Sequence, residues 1–313
     1  MVLLSIIIPV FNKEHYLSDC LDNIFEKQNV QLDSFEIVCI DDGSTDSSYN
    51  ILQQYSKYNN LKIIRQENRG ASVARNVGIR NSTGQYIWFV DADDYIFPNV
   101  LADLMSALKT GFDLYTIGVA TDCTQQYNGF CNISDSADAI PSPYTFGNIV
   151  KRERIGNADI QFDEEITYGE DTLFWLQVGV FCQSIRRIDS YLYYYRKSNG
   201  SIMEKLKTSE SARLKQFLDT IKGCHKLVLL IPKCKNVILK SRVIDACLTY
   251  NLCILNSNFI GLYKENVKLY YPLPFFCRIK YFFWYKELSI SKKTQLVFLP
   301  RFYLQKKVKR SLR

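Results

Sequence analysis

Three polar clusters in the first 95 residues carry residue types that bind nucleotides and divalent cations. They are Pro9-Val10-Phe11-Asn12, Asp41-Asp42-Gly43-Ser44 and Asp91-Ala92-Asp93-Asp94. A carboxylate in the second cluster can accept a hydrogen bond from a base N–H or a ribose hydroxyl. The plainer alternative is an Asx-turn or helix N-cap, which would occupy one Asp and Ser44. Carboxylates crowded at 91, 93 and 94 repel one another unless a cation or proton compensates. Their hard oxygens suit Mg²⁺ or Mn²⁺, which commonly bind through one or two protein carboxylates plus substrate phosphates. The competing reading is a solvated acidic turn ahead of the next helix. Two more segments qualify. Asn68-Arg69-Gly70-Ala71-Ser72-Val73-Ala74-Arg75-Asn76-Val77-Gly78 opens a helix from a glycine turn. Its N-terminus and arginines can face a diphosphate, Arg75 foremost, while its small residues also permit close helix–sheet packing. Gly169-Glu170-Asp171 places carboxylates at a helix start, either as dipole partners or as a general base for a hydroxyl.

Each of the three clusters ends a short apolar run: LLSIII, FEIVCI and YIWFV. These read as strands, with LKIIRQ another. Between them, helical spacing recurs at Leu17, Cys20-Leu21 and Ile24-Phe25, then at Ile51, Leu52 and Tyr55, then over 71–81. After Pro98, Leu101, Leu104-Met105 and Leu108 mark a further helix. This alternation predicts an α/β fold with a mostly parallel sheet flanked by helices. In such sheets ligands bind at the carboxyl ends of the strands, where strand order reverses, so three polar strand ends predict one shared site. FDLYTIGV (112–119) is a fifth strand, 121–146 a long loop, and 166–182 an acidic pair followed by an amphipathic helix through Leu173, Phe174, Leu176, Gln177 and Val180. IDSYLYYYR (188–196) is an aromatic strand. Beyond about 205 the pattern is helical, basic and aromatic.

The chain has 313 residues, enough for one large core plus an appendage or for two domains. Its net charge of +7 conceals a reversal: residues 1–204 hold 16 Lys+Arg and 27 Asp+Glu, residues 205–313 hold 23 and 5. The halves therefore have different partners. Ten cysteines without a C-x-x-C pair, with Cys20 and Cys39 on apolar faces, predict buried free thiols in a reducing compartment. Two histidines leave a His-based nucleophile or zinc site without support. The N-terminus runs directly into Pro9 and reads as a first strand, not a signal peptide. No window is apolar enough to span a bilayer.

In order along the chain, SIIIPVFN, IDDGSTD, ENRGASVARNVG, FVDADD and YGEDTLFW resemble the family 2 inverting glycosyltransferases of bacterial polysaccharide biosynthesis, over roughly residues 3–201. The resemblance implies the GT-A fold, a Rossmann-like half (1–95) joined to an acceptor and base half (96–204), with 205–313 as a C-terminal extension. It implies that Pro9, Phe11, Asn12 and Asp42 line the base pocket, with Phe11 against the ring. Arg75 and Asp91 would contact the nucleotide-sugar, Asp91 at the ribose or metal, and Asp93 would be the principal metal ligand. Asp171 would be the catalytic base, and Glu170 would shape the acceptor side. Tyr195, Arg196 and Ser201 match an aromatic-basic segment of the family. The implied reaction is a single displacement from a nucleotide-sugar, by resemblance a UDP-sugar, assisted by Mn²⁺ or Mg²⁺. The acceptor would be a glycan or lipid-linked saccharide.

A catalytically silent nucleotide-sugar-binding module of the same fold is the competing class, disfavoured by the intact aspartate set. A dinucleotide oxidoreductase lacks its G-x-G-x-x-G after the first strand, and a phosphoacceptor receiver domain leaves Gly169–Asp171 unexplained. The tail from 270 to 313 interleaves aromatics with Lys and Arg, which suits either an anionic membrane surface or a solvated helical subdomain. No nucleic-acid motif is present. The expected location is cytoplasmic, with peripheral attachment to the inner face of the membrane as the tail's contribution.

Overall fold

The computed structural model describes residues 2–122, 124–134, 139–197 and 209–234. Ser201, the boundary at 204/205 and the basic stretch 270–313 lie outside the described residues. Four parallel strands build the N-terminal half: β1 (Leu4–Val10), β2 (Phe35–Asp42), β3 (Leu61–Gln66) and β4 (Tyr86–Phe89). β1 and β2 are buried on both faces, as continuous Ile/Val/Leu runs require in a sheet covered on both sides. The helices between them are α1 (Leu17–Phe25), α2 (Ser48–Gln54) and α3 (Ala71–Asn81). Ile6, Ile8 and Val10 join α1 in one core, and Ile7, Val38, Ile40 and Ala74 form the other core on the opposite face.

Strand order begins β3-β2-β1-β4, so the chain steps outward from β1 to β3 and then returns to the other side of β1. The strand order therefore switches at β1/β4. The carboxyl ends of β1, β2 and β4 become neighbours there, which is the arrangement the three polar clusters predict. Pairing Val10 with Asp41 and Asp42 with Gln66 fixes the depth of the second cluster.

The second half adds β5 (Tyr95–Ile96), α4 (Val100–Leu108), β6 (Leu114–Ala120), β7 (Asn148–Lys151), α5 (Arg152–Gly156), α6 (Glu170–Phe181) and β8 (Ile185–Tyr194). The sheet continues β4-β7-β6-β8-β5, with β7 antiparallel to both neighbours, β6 parallel to β8, and β5 antiparallel to β8. The sequence pattern gave no strand at β5 or β7. The amphipathic helix read within 166–182 is α6, and it is buried more widely than the face through Leu173, Phe174, Leu176, Gln177 and Val180. Leu173, Phe174, Trp175, Leu176 and Val178 are all buried. Phe174, Trp175 and Val178 share a core with Ile7, Phe89, Leu114 and Val150 of the sheet, and a further helix, α7 (Glu210–Leu230), also packs against α6. Cys20 and Cys39 are buried free thiols, and burial raises both.

Candidate active site

The loops after β1 and β2 are stitched together by side chain–backbone bonds. Ser44 Oγ accepts the Asn12 N–H at 3.1 Å, and Asn12 Oδ1 accepts the Thr45 N–H at 2.9 Å. Ser48 Oγ accepts the Lys13 N–H at 2.7 Å. Asn12 therefore serves as a latch, with φ +51° placing it in the left-handed region that Asn tolerates. Locking the two loops leaves Phe11 presenting its ring at 42% exposure beside the strand end, with Pro9 half-buried behind it. An exposed ring here is suited to stacking on a planar base.

The two aspartates of β2 divide their work. Asp41 makes the local turn, accepting the Ser44 N–H at 3.2 Å and pairing with Arg65 at 3.1 Å. Asp42 instead receives Gln66 Nε2 at 2.7 Å, Arg69 N–H at 2.9 Å and Gly70 N–H at 2.8 Å. The Asx-turn explanation thus applies to Asp41. A carboxylate offers roughly four acceptor positions, so the three donors leave Asp42 about one for a ligand N–H or hydroxyl.

At the end of β4, Asp91, Asp93 and Asp94 face different neighbours. Asp91 Oδ1 lies 3.4 Å from Arg75 NH2, and Asp93 Oδ2 lies 2.5 Å from Lys13 Nζ. Asp94 is buried at 1% exposure, accepts the Tyr193 hydroxyl at 2.5 Å and accepts the Arg196 N–H at 2.7 Å. Burial pushes its carboxyl up to about 8, Asp91 adds to the rise, and the two hydrogen bonds oppose it. The Tyr193 oxygen in turn accepts the Asp91 N–H at 3.1 Å. Asp94 and Tyr193 therefore brace the turn, leaving Asp91 and Asp93 to face the site.

Arg75 joins the two halves. Its guanidinium, largely buried, donates to Glu170 at 3.1 Å as well as facing Asp91, and lies 5.3 Å from the Phe162 ring centre. Burial works against its charge, but Asp91 and Glu170 outweigh that and hold the pKa above its ordinary value. Asn76, one residue on, makes paired bonds with the Phe162 backbone at 2.8 and 2.9 Å, tying α3 to the segment that leads to α6. α6 begins after Gly169, whose φ of +86° only glycine adopts without strain. Burial raises Glu170 to about 7 against the pull of Arg75. Burial also raises Asp171 above the ordinary range, opposed by the Thr172 N–H and Arg75 and reinforced by Asp91.

The structure thus brings Arg75, Asp91, Glu170 and Asp171 together, with Asp93 beside Asp91. Tyr195 and Arg196 stand at the Asp93–Asp94 turn. Asp94, Asp93 and Asp91 add to the burial that raises the Tyr195 phenol, and the ring stacks on Phe146 at 5.5 Å. The Arg196 guanidinium pairs with Asp19 and lies over Tyr16 and Tyr95. Sequence reasoning missed Lys13, Asn76 and Tyr193, and it grouped Asp94 with the cation-suited carboxylates, whereas Asp94 is taken up by Tyr193 and the Arg196 N–H. The partners of Lys13, Asn76 and Tyr193 lie 80, 86 and 99 or more residues away, beyond any local spacing signal.

A crossed strand order, polar strand ends and a second half of mixed parallel and antiparallel strands define a GT-A fold. Residues 5–146 match the sequence model of the family described as glycosyl transferase family 2. The chain is 28% identical over 220 residues to a glycosyltransferase named EpsJ from Bacillus subtilis, covering 64% of this chain and 63% of the relative. It is 32% identical over 202 residues to a poly(ribitol-phosphate) beta-glucosyltransferase of Bacillus spizizenii, covering 61% and 32%. Less than two thirds of each relative's length is therefore spanned. Among solved structures, Staphylococcus aureus TarS 1-349 in complex with UDP-GlcNAc superposes with a TM-score of 0.63 at 21% identity, covering 86% of this chain and 77% of that one. That likeness supports the fold.

Proposed function

We propose that this protein is an inverting glycosyltransferase that moves a sugar from a nucleotide-sugar, with UDP as carrier, onto a hydroxyl of a glycan or lipid-linked saccharide in cell-surface polysaccharide synthesis. The observation that carries this reading is the Asp91–Arg75–Glu170 bridge. One buried guanidinium ties the strand-end carboxylates of the donor half to the helix-start carboxylates, so donor and base sides share a single centre. The UDP carrier is supported by TarS, whose structures are described as complexes with UDP and UDP-GlcNAc.

Phe11 stacks on the base, and Asp42 spends its remaining acceptor position on a base N–H or ribose hydroxyl. Asp91 and Asp93 fit a divalent cation. They supply two hard carboxylates, and the chain already sets cations, Arg75 and Lys13, against them. Mn²⁺ or Mg²⁺ held there would neutralise charge on the departing diphosphate. A solved mannosyltransferase with GDP-Man and Mn²⁺ shares the fold at a TM-score of 0.55 and 15% identity. Asp171 takes the proton from the acceptor hydroxyl, whose oxygen attacks the anomeric carbon opposite the nucleotide. Burial makes this carboxylate a stronger base than an exposed one. Glu170, held by Arg75, shapes the acceptor side, and the 270–313 tail contacts an anionic membrane carrying the acceptor.

Screening nucleotide-sugars for Mn²⁺-dependent thermal stabilisation and for UDP release tests the reading. Stabilisation with turnover supports the enzyme; stabilisation without turnover supports the silent binding module. Asp171→Asn should lower turnover by about 10²–10⁴-fold, the usual worth of a positioned base. Wild-type turnover in that variant would remove Asp171 from the mechanism.

A further inference from the structure

Asp219 lies on α7, outside the family-matched segment, yet its carboxylate reaches the backbone that leads into α6. Its Oδ2 accepts the Thr167 N–H at 2.8 Å and the Tyr168 N–H at 3.2 Å. Its Oδ1 holds Lys215 Nζ at 2.6 Å, and the same ammonium donates to the Glu165 carbonyl at 2.9 Å. The side chain has 0% exposure. Only Gly169 separates this clamp from Glu170, with Asp171 next.

A buried carboxylate is costly to desolvate and persists where its acceptor positions are used. An apolar residue would suffice merely to pack α7 on α6. Here two consecutive backbone N–H groups converge on one oxygen, and the lysine holding the other oxygen also fastens residue 165. The clamped object is the 165–168 backbone, whose position sets where α6 starts.

We infer that Asp219 is a positioning residue for the general base, holding the N-terminus of α6 so that Asp171 stands opposite Asp91 and Arg75. The inference rests on the proposed transfer reaction with Asp171 as base. Displacing a catalytic group by about 1 Å costs on the order of a hundredfold in rate, whereas the nucleotide pocket, built from the ends of β1, β2 and β4, does not depend on this clamp.

The test uses the full chain, with UDP release from UDP-glucose or UDP-N-acetylglucosamine as turnover and UDP alone as the binding probe. Asp219→Ala should lower kcat roughly ten- to a hundredfold, leaving the UDP Kd within about twofold. Asp219→Asn, whose amide oxygen can still accept both N–H groups, should recover kcat to within about fivefold. A folded Asp219→Ala variant with wild-type kcat, or with kcat and UDP affinity lost together, would overturn the inference. Should the alanine variant not fold, Lys215→Met and amide hydrogen exchange decide. Thr167 and Tyr168 amides should be slow in the wild type and faster in Lys215→Met, with kcat reduced; fast wild-type exchange overturns the clamp. Asp171→Asn separates the failures. If it retains turnover, the base assignment fails; if it is inactive while Asp219→Ala is wild-type, only the Asp219 role fails.

Discussion

Asp171 must be ionised to take a proton, and its surroundings resist ionisation. Burial raises its carboxyl, while the Thr172 N–H and Arg75 pull the other way. The sign follows directly. Turnover is present above the raised pKa and is lost as pH falls through it. The acid limb of kcat/KM should therefore lie above the ordinary Asp value of about 3.9. Arg75→Met removes a group that favours the charged form, so the limb should move to still higher pH. A limb at the ordinary value, or one unmoved by the substitution, would contradict this environment. The same substitution strips the partner from Asp91 and Glu170, and unpairing a buried ion network costs about 3 kcal/mol or more. Urea unfolding at neutral pH should show that loss, and it should shrink at acid pH, where Glu170, already raised to about 7, carries a proton.

At the scale of elements, α3 is held against the sheet by one absent side chain. A Cβ at Gly78 would lie 2.3 Å from Ile7 Cγ2 and 3.0 Å from Ile40 Cδ1. Both isoleucines are fully buried and β-branched, so neither rotates away cheaply. Gly78→Ala should cost about 1–3 kcal/mol by overpacking, read as a lower urea midpoint at unchanged m. An unchanged midpoint would mean that the helix can ride outward freely. Such elements were the legible part of the chain. β1, β2 and β4 are apolar runs ended by polar clusters, and Asp42, Arg75, Asp91 and Asp171 sit in motifs with a recognisable order. β5 was not legible because two residues show no pattern, and β7 because its NIVK has only two apolar residues between polar ends, unlike the continuous apolar run of the equally short β4. On α6, Leu173, Phe174 and Leu176 are legible as an apolar face, but Trp175 and Val178 fall outside it because their partners on β1, β4, β6 and β7 are brought to them only by folding. Lys13 and Asp219 escaped notice because their partners at 93, 167 and 168 are joined to them only by folding.

Across the whole molecule, the charge reversal has an internal part and a remainder. On α7, Lys222 pairs with Glu165 at 3.3 Å, and Lys226 pairs with Asp163. Lys215 pairs with Asp219. The first basic helix thus faces the acidic segment ahead of the base, and these lysines serve the fold. The exposed Lys222–Glu165 pair contributes about 0–1 kcal/mol, so its value is alignment more than stability. The stretch 270–313 is different in density, with 11 Lys+Arg against a single Glu, interleaved with Phe, Tyr and Trp. The described residues contain no helix long and apolar enough to cross a membrane. Surface attachment through this stretch would require both its aromatics and its charge. The full chain should therefore float with liposomes containing anionic lipid and stay behind with neutral ones. Raising salt to about 0.5 M should weaken binding, because the screening length falls below roughly 5 Å. Deleting 270–313 should abolish flotation while UDP binding, which depends on the strand ends, stays intact. If the deletion floats as well as the full chain, the basic tail is a solvated surface, and the acceptor must be delivered to Asp171 by some other part of the protein.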